Sequence, residues 1–278
     1  MAFLRTDHLH IFYADHGFGP NVLLLHSSGG SHRQWLTLIG DNAVNNRFLA
    51  PDLIGYGQTR DLSGRAFAPE REVELVLALL ERAPGPVDIV GHSYGGVVAL
   101  DAALALGPRV RSLTLIEPVA FHVLRTAGSP AWVEIAALAR RHIAYVEEGD
   151  VEGAAEIFMG YWIGRNAWAA MPLPQKRAIV GGMAKIADEW RGMLAATTDA
   201  THYAGIAAPV RFLCSARMTP AVRAVTDLLQ AILPGADRVT LEGGGHLAPI
   251  THPALVNTRI MAHIADARAR HGALSGAA

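Results

Sequence analysis

Apolar and polar positions alternate along the chain in two rhythms. Short apolar runs bounded by glycine, proline or polar residues read as strands: His8 to Tyr13, Asn21 to His26, Arg47 to Pro51, Val87 to Val90, Val110 to Ile116, Pro209 to Cys214 and Asp237 to Leu241. Between them, apolar residues at helical spacing predict helices over His32 to Leu38, Pro69 to Arg82, Gly95 to Leu106, Pro220 to Leu233 and Pro253 to Ala267. Pro69 stands at a first-turn position, where a missing N–H leaves no intrahelical bond unmade. Near-continuous apolar strands separated by helices predict an α/β fold, with a mainly parallel sheet covered on both faces.

The rhythm changes between Val119 and Ala208. Only helical periodicity remains there, over Trp132 to Glu148, Val151 to Gly164, Pro174 to Ala187 and Trp190 to Ala196. The expected organisation is therefore a core of residues 1–118 and 209–278, with a helical insertion at 119–208 lying over the strand ends. Composition agrees with a large buried core, since 51% of the 278 residues are hydrophobic and 18% are charged. A net charge of -1 leaves no basic footprint for nucleic acid or for an anionic membrane surface. The single cysteine, Cys214, excludes an internal disulfide and fits a reducing compartment. Met1 to His8 lacks a basic stretch followed by an apolar run, so a cytoplasmic location is expected. The longest apolar stretch, Val87 to Leu106, carries Asp88, His92, Ser93 and Asp101, and reads as strand plus helix rather than as a membrane span.

That stretch also carries the first candidate chemistry. Val87-Asp88-Ile89-Val90 runs into Gly91-His92-Ser93-Tyr94-Gly95 and then into an Ala/Leu-rich helix. A Gly-X-Ser-X-Gly turn between strand and helix exposes its serine hydroxyl above a sheet, which marks Ser93 as a candidate nucleophile. The competing reading is a helix N-cap serine. A serine hydroxyl needs a base to take its proton. His246 follows the last strand and three glycines, which allow a tight bend toward Ser93. His252 is a competitor, but it immediately precedes Pro253 and the closing helix. His92 reads as structural, its side chain pointing away into packing.

Four segments, His26-Ser27-Ser28-Gly29-Gly30, Asp52-Leu53-Ile54-Gly55-Tyr56-Gly57, Gly91 to Gly96 and Gly243-Gly244-Gly245-His246, occur in an order that resembles the α/β-hydrolase superfamily over nearly the whole chain. The resemblance implies an eight-stranded-type sheet flanked by helices, a helical cap at 119–208, Ser93 as nucleophile and His246 as base. The family's acid most often follows the strand that here ends at Cys214. At that place the chain reads Ser215-Ala216-Arg217-Met218-Thr219-Pro220, with Met218 where an aspartate is expected and no carboxylate before Asp227. The haloalkane-dehalogenase-like branch carries its acid after the strand that follows the nucleophile helix. Here that residue is Glu117, and Ser93, Glu117, His246 keeps the chain order of this fold. Glu117 is therefore the expected acid. Its bland reading is a strand-end carboxylate bonded to loop amides, and Glu242 and Asp199 are weaker substitutes. Backbone amides of Tyr94 and Ser28 are the expected oxyanion donors, with Ser27 standing where the family pattern has glycine. His26 and Asp52 read as residues that shape loops.

Several chemistries are excluded. A serine at position 93 excludes the carboxylate nucleophile of a dehalogenase or epoxide hydrolase of this fold. The glycine-rich loop lacks Gly-Lys-Ser/Thr, no Gly-X-Gly-X-X-Gly follows a strand, and no Cys/His cluster has metal spacing, so neither a cofactor nor a metal is expected. What remains is acyl transfer to water, foremost the hydrolysis of a carboxylic ester of a small apolar substrate through an acyl-enzyme. A carbon–carbon bond hydrolase or cofactor-free lyase could use the same site. A non-catalytic ligand-binding protein is the third reading, kept open by Met218. The aromatic residues of the insertion, among them Trp132, Phe158, Tyr161, Trp162 and Trp190, predict an apolar pocket. The expected partner is a small-molecule acyl substrate, with no nucleic acid and no membrane, and a homodimer is compatible with the composition.

Overall fold

Nine strands form one sheet in the computed structural model, which describes residues 1–275, with side chains through His271. They are β1 (Ala2–Arg5), β2 (Leu9–His16), β3 (Asn21–Leu25), β4 (Arg47–Pro51), β5 (Arg60–Asp61), β6 (Val87–His92), β7 (Val110–Ile116), β8 (Val210–Ser215) and β9 (Asp237–Leu241). The order across the sheet is β1-β2-β4-β3-β6-β7-β8-β9, with β5 pairing on β2. From β4 to β9 every neighbour is parallel, and only the β1 edge is antiparallel. The reason lies in the apolar pattern. β3 and β6 are buried at every position, so neither face can meet water, and helices must cover both. Leu23 and Leu25 pack into one layer while Val22 and Leu24 pack into the other.

The helices are α1 (Leu36–Asn42), α2 (Glu70–Glu81), α3 (Tyr94–Leu106), α4 (His122–Thr126), α5 (Ala131–Glu147), α6 (Val151–Ile163), α7 (Arg165–Ala170), α8 (Leu173–Val180), α9 (Met183–Ala195), α10 (Pro220–Ile232), α11 (Ala248–Thr251) and α12 (Pro253–Ser275). α3 packs on β3, β6 and β7 from one side, while α12 packs on β7 and β8 with α1 against it. Between β7 and β8 the chain forms α4 to α9 and a 3-10 turn at Ala200–Gly205, with no strand.

The expected fold class holds: a mainly parallel sheet with helices on both faces. Some boundaries differ. β1 and β5 carry no apolar signal strong enough to read, because β1 is half-exposed and β5 is Arg60–Asp61. The helix expected over Pro174 to Ala187 is broken at Gly181 and Gly182, where two glycines weaken a continuous helix. Its second half continues as α9 through Trp190. No helix among the described residues is long and apolar enough to cross a membrane.

Candidate active site

β6 ends in a corner that the glycines at positions 91 and 95 allow. Ser93 has φ 56° and ψ -117°, and its side chain makes no capping bond to α3, which removes the N-cap reading. A Cβ on Gly95 would collide with the carbonyl oxygens of Leu25 and His26, and one on Gly91 with the Gly95 carbonyl and Ala99. Both positions therefore require glycine if α3 is to start this close to β3. The Ser93 N–H donates to the Ile116 carbonyl at 2.9 Å, tying the corner to the end of β7.

His246 reaches that corner from the loop after β9, where Gly244 has φ 71°. His246 Nε2 lies 2.9 Å from Ser93 Oγ, and its Nδ1 lies 2.8 Å from Glu117 Oε2. The other Glu117 oxygen accepts the Ser215 N–H at 2.8 Å. Glu117 thus meets the imidazole and also accepts a backbone N–H from the last residue of β8. Burial pushes its carboxyl up, but the hydrogen bonds from His246 and Ser215 outweigh burial and hold it below the ordinary carboxylate value. A carboxylate on Nδ1 fixes the proton there and leaves Nε2 free to accept from Ser93. Met218 is half-buried against the core, and the end of β8 supplies a backbone amide where the common pattern has a carboxylate.

His92 corrects an expectation. It is fully buried, but it does not point away from the site: its Nε2 donates to the His246 carbonyl at 2.8 Å and so holds the loop. Burial drives its pKa down to about 3, so it is a neutral donor. The other residues weighed as competitors stand elsewhere. His252 is exposed and bonds Thr251, Glu242 is exposed, and Asp199 caps the 3-10 turn through the Thr201 N–H. His26 and Asp52 hold loops as expected. His26 Nε2 accepts the Leu53 N–H at 2.9 Å, and Asp52 accepts from His32 and from the Gln58 N–H.

Ser28 and Tyr94 line one cavity with Ser93, about 1110 Å³ in volume, whose walls include Val97, Phe121, Phe158 and Trp190. Its size suits an organic ligand larger than an acetyl group. Trp162 stacks on His246, with ring centroids 3.8 Å apart and planes 16° from parallel.

Residues 22–259 match the Alpha/beta hydrolase family. The chain belongs to that family. An uncharacterized protein of Mycobacterium tuberculosis is 28% identical to this α/β hydrolase over 258 residues, covering 86% of this chain and 73% of that one. The 2-hydroxy-6-oxo-2,4-heptadienoate hydrolase of Pseudomonas putida is 32% identical over 121 residues, covering 42% of this chain and 44% of that one. Among solved structures, the enol-lactonase of Burkholderia xenovorans superposes with a TM-score of 0.75 at 18% identity, covering 95% of this chain and 100% of that one, a likeness of fold alone.

Two features of this α/β hydrolase's site escape sequence reasoning. Glu189 of α9 is buried in the cavity wall, where Oε2 accepts from Ser28 Oγ at 2.6 Å and Oε1 from the Tyr56 hydroxyl at 2.8 Å. Burial raises its carboxyl above the ordinary value, although Lys185 at 3.5 Å and these donors pull it back. Nothing in the sequence around Glu189 sets it apart from other polar positions of an amphipathic helix. The second feature is the Ser215 amide on Glu117. A backbone N–H leaves no mark in a sequence, so only strand pairing could place it.

Proposed function

We propose that this chain is a serine hydrolase that cleaves carboxylic esters with an apolar acid part through an acyl-enzyme. The reading rests on one observation: a single imidazole spans Ser93 Oγ and Glu117 Oε2 at 2.9 and 2.8 Å. Ser93 Oγ attacks the ester carbonyl while its proton passes to His246 Nε2. Glu117, on Nδ1, holds the ring and stabilises the imidazolium. The backbone N–H groups of Tyr94 and Ser28 donate to the oxyanion of the tetrahedral intermediate. When the carbon–oxygen bond breaks, His246 returns the proton to the leaving alcohol. Water then repeats the sequence and releases the acid.

In this reading residues 119–208 are the cap over a core formed by 1–118 and 209–278. The apolar walls around Phe121, Phe158 and Trp190 favour an acyl group longer or more aromatic than acetyl. The test is labelling with a fluorophosphonate together with turnover of nitrophenyl esters. Labelling and turnover that disappear in Ser93→Ala are expected, with longer acyl chains preferred over acetyl. A wild-type protein that neither labels nor turns over ester overturns the reading.

A second reading is carbon–carbon bond hydrolysis at the same serine. It is favoured by the likeness to the Pseudomonas putida hydrolase, whose name gives a dienoate substrate. Turnover of a vinylogous diketone with no turnover of simple esters would select it.

A further inference from the structure

His246 has two in-plane partners, Ser93 and Glu117. The bond to Cβ and the two hydrogen bonds at the ring nitrogens together define where the ring plane lies. A contact on the ring's face adds resistance to tilting out of that plane. Trp162, on α6, makes that contact, and at 3.8 Å its centroid separation is the shortest of any ring pair among the described residues. The indole is itself held, by Tyr161 edge-on at 4.9 Å and Phe158 edge-on at 6.1 Å, with Phe121 parallel to it at 6.5 Å. It also forms part of the cavity wall beside Ser93.

We propose that Trp162 is a positioning residue for the general base, resisting tilt of the His246 ring out of its plane and stabilising the imidazolium that exists only while the acyl group is gained or lost. The proposal rests on the serine-hydrolase reading. A general base takes up a proton only as the neutral imidazole. As the Ser93 Oγ–carbon bond forms, the Oγ proton moves to Nε2 and the ring becomes a cation, while the carbonyl oxygen gains the negative charge. The face of an indole carries the negative end of its quadrupole, so its attraction rises with the charge on the ring beneath it. A contact stronger in the transition state than in the ground state raises turnover rather than substrate affinity. The titratable groups facing the ring are Glu117 at the end of β7, Ser93, and His92 at the end of β6, whose ring lies 5.2 Å away, tilted by 45°. His92 is neutral and Glu117 stays bonded in both states, so the indole is the partner whose contribution changes with ring charge without itself titrating.

The test compares Trp162→Phe, which keeps a π face, with Trp162→Leu, which keeps apolar bulk alone. On a nitrophenyl ester Trp162→Leu is expected to lower kcat about tenfold. It should also move the acidic limb of the kcat/KM profile to lower pH by about half a unit, because the protonated ring loses support. Trp162→Phe should recover most of both. An imidazolium stacked on an indole quenches its emission, so the wild-type protein should show a pH-dependent loss of tryptophan fluorescence that is absent in Trp162→Phe and in His246→Gln. Equal kcat losses in both variants with an unmoved limb would mean that Trp162 only fills space, and would overturn the proposal, as would a Trp162→Leu variant with wild-type kcat. Either result, in a protein whose Ser93 still labels, leaves the serine-hydrolase reading standing. A wild-type protein without labelling or turnover removes both together.

Discussion

Ser93 and Glu117 are the two non-glycine residues with positive φ among those described, at 56° and 43°. An L-residue held in that region costs about 1–3 kcal/mol, and the surrounding structure must impose it. Both stand where a strand ends and the chain must turn at once, so the strain accompanies the delivery of a side chain to the strand-end face. Ser93→Gly should therefore be more stable than Ser93→Ala by about 1 kcal/mol, read as a higher Tm, while both lack ester turnover. Glu117→Gln keeps the shape but can offer an N–H to Nδ1, which favours the wrong tautomer of His246. A fall in kcat of about a thousandfold or more is expected, with an unchanged circular dichroism spectrum, and near-normal turnover would remove Glu117 from the mechanism. Ser93 and His246 are legible at this scale because the glycines beside them mark a turn in the chain itself. Glu189 and Trp162 are not, because what matters about them is the residue they touch.

At the scale of elements, the corner between β6 and α3 is set by close approach rather than by propensity. Gly95 brings the start of α3 against the end of β3, and a methyl group there meets the Leu25 and His26 carbonyl oxygens with no flexible side chain to yield. Gly95→Ala should cost about 3 kcal/mol or prevent folding, measured as a fall in Tm or in the urea midpoint. Ser28 and Tyr94 line the same cavity as Ser93. β7 lies between β6 and β8, which explains how Glu117 reaches both His246 and the Ser215 amide. The apolar pattern announces β6, β7 and β8 individually. Their order in the sheet is a matter of pairing, and the chain only limits it. The break at Gly181 and Gly182 was illegible for a related reason: the residues on either side keep helical spacing, and two glycines can either continue or end such a run.

At the scale of the molecule, the charge balance of the interior sets the response to acid. His26, His92, His122, His142 and His263 are buried, and burial lowers their pKa values from 6.5 to about 4, or to about 3 for His92. Below pH 6.5 the unfolded chain takes up protons at these five residues and the folded chain does not, so stability falls as pH drops from 6.5 toward 4. Glu72, raised by burial to about 7, Asp101, raised by burial to about 6, and Glu189, also raised by burial, act in the opposite sense, gaining protons first in the folded state. Five groups outnumber three, so thermal melts are expected to show Tm decreasing steadily below about pH 6.5. A Tm flat from pH 7 to pH 4.5 would contradict this balance. By itself the sequence determined the alternation of strands and helices, the mainly parallel sheet, and the serine corner with its downstream histidine, because periodicity and glycine placement are local signals. The chain order and family resemblance pointed to Glu117, and tertiary structure brought its carboxylate onto His246, 129 positions away, through the pairing of β6, β7 and β8. Tertiary structure alone placed an indole from α6 on the imidazole, because a stacking contact depends on a helix and a distant loop meeting, and no single stretch of chain encodes that.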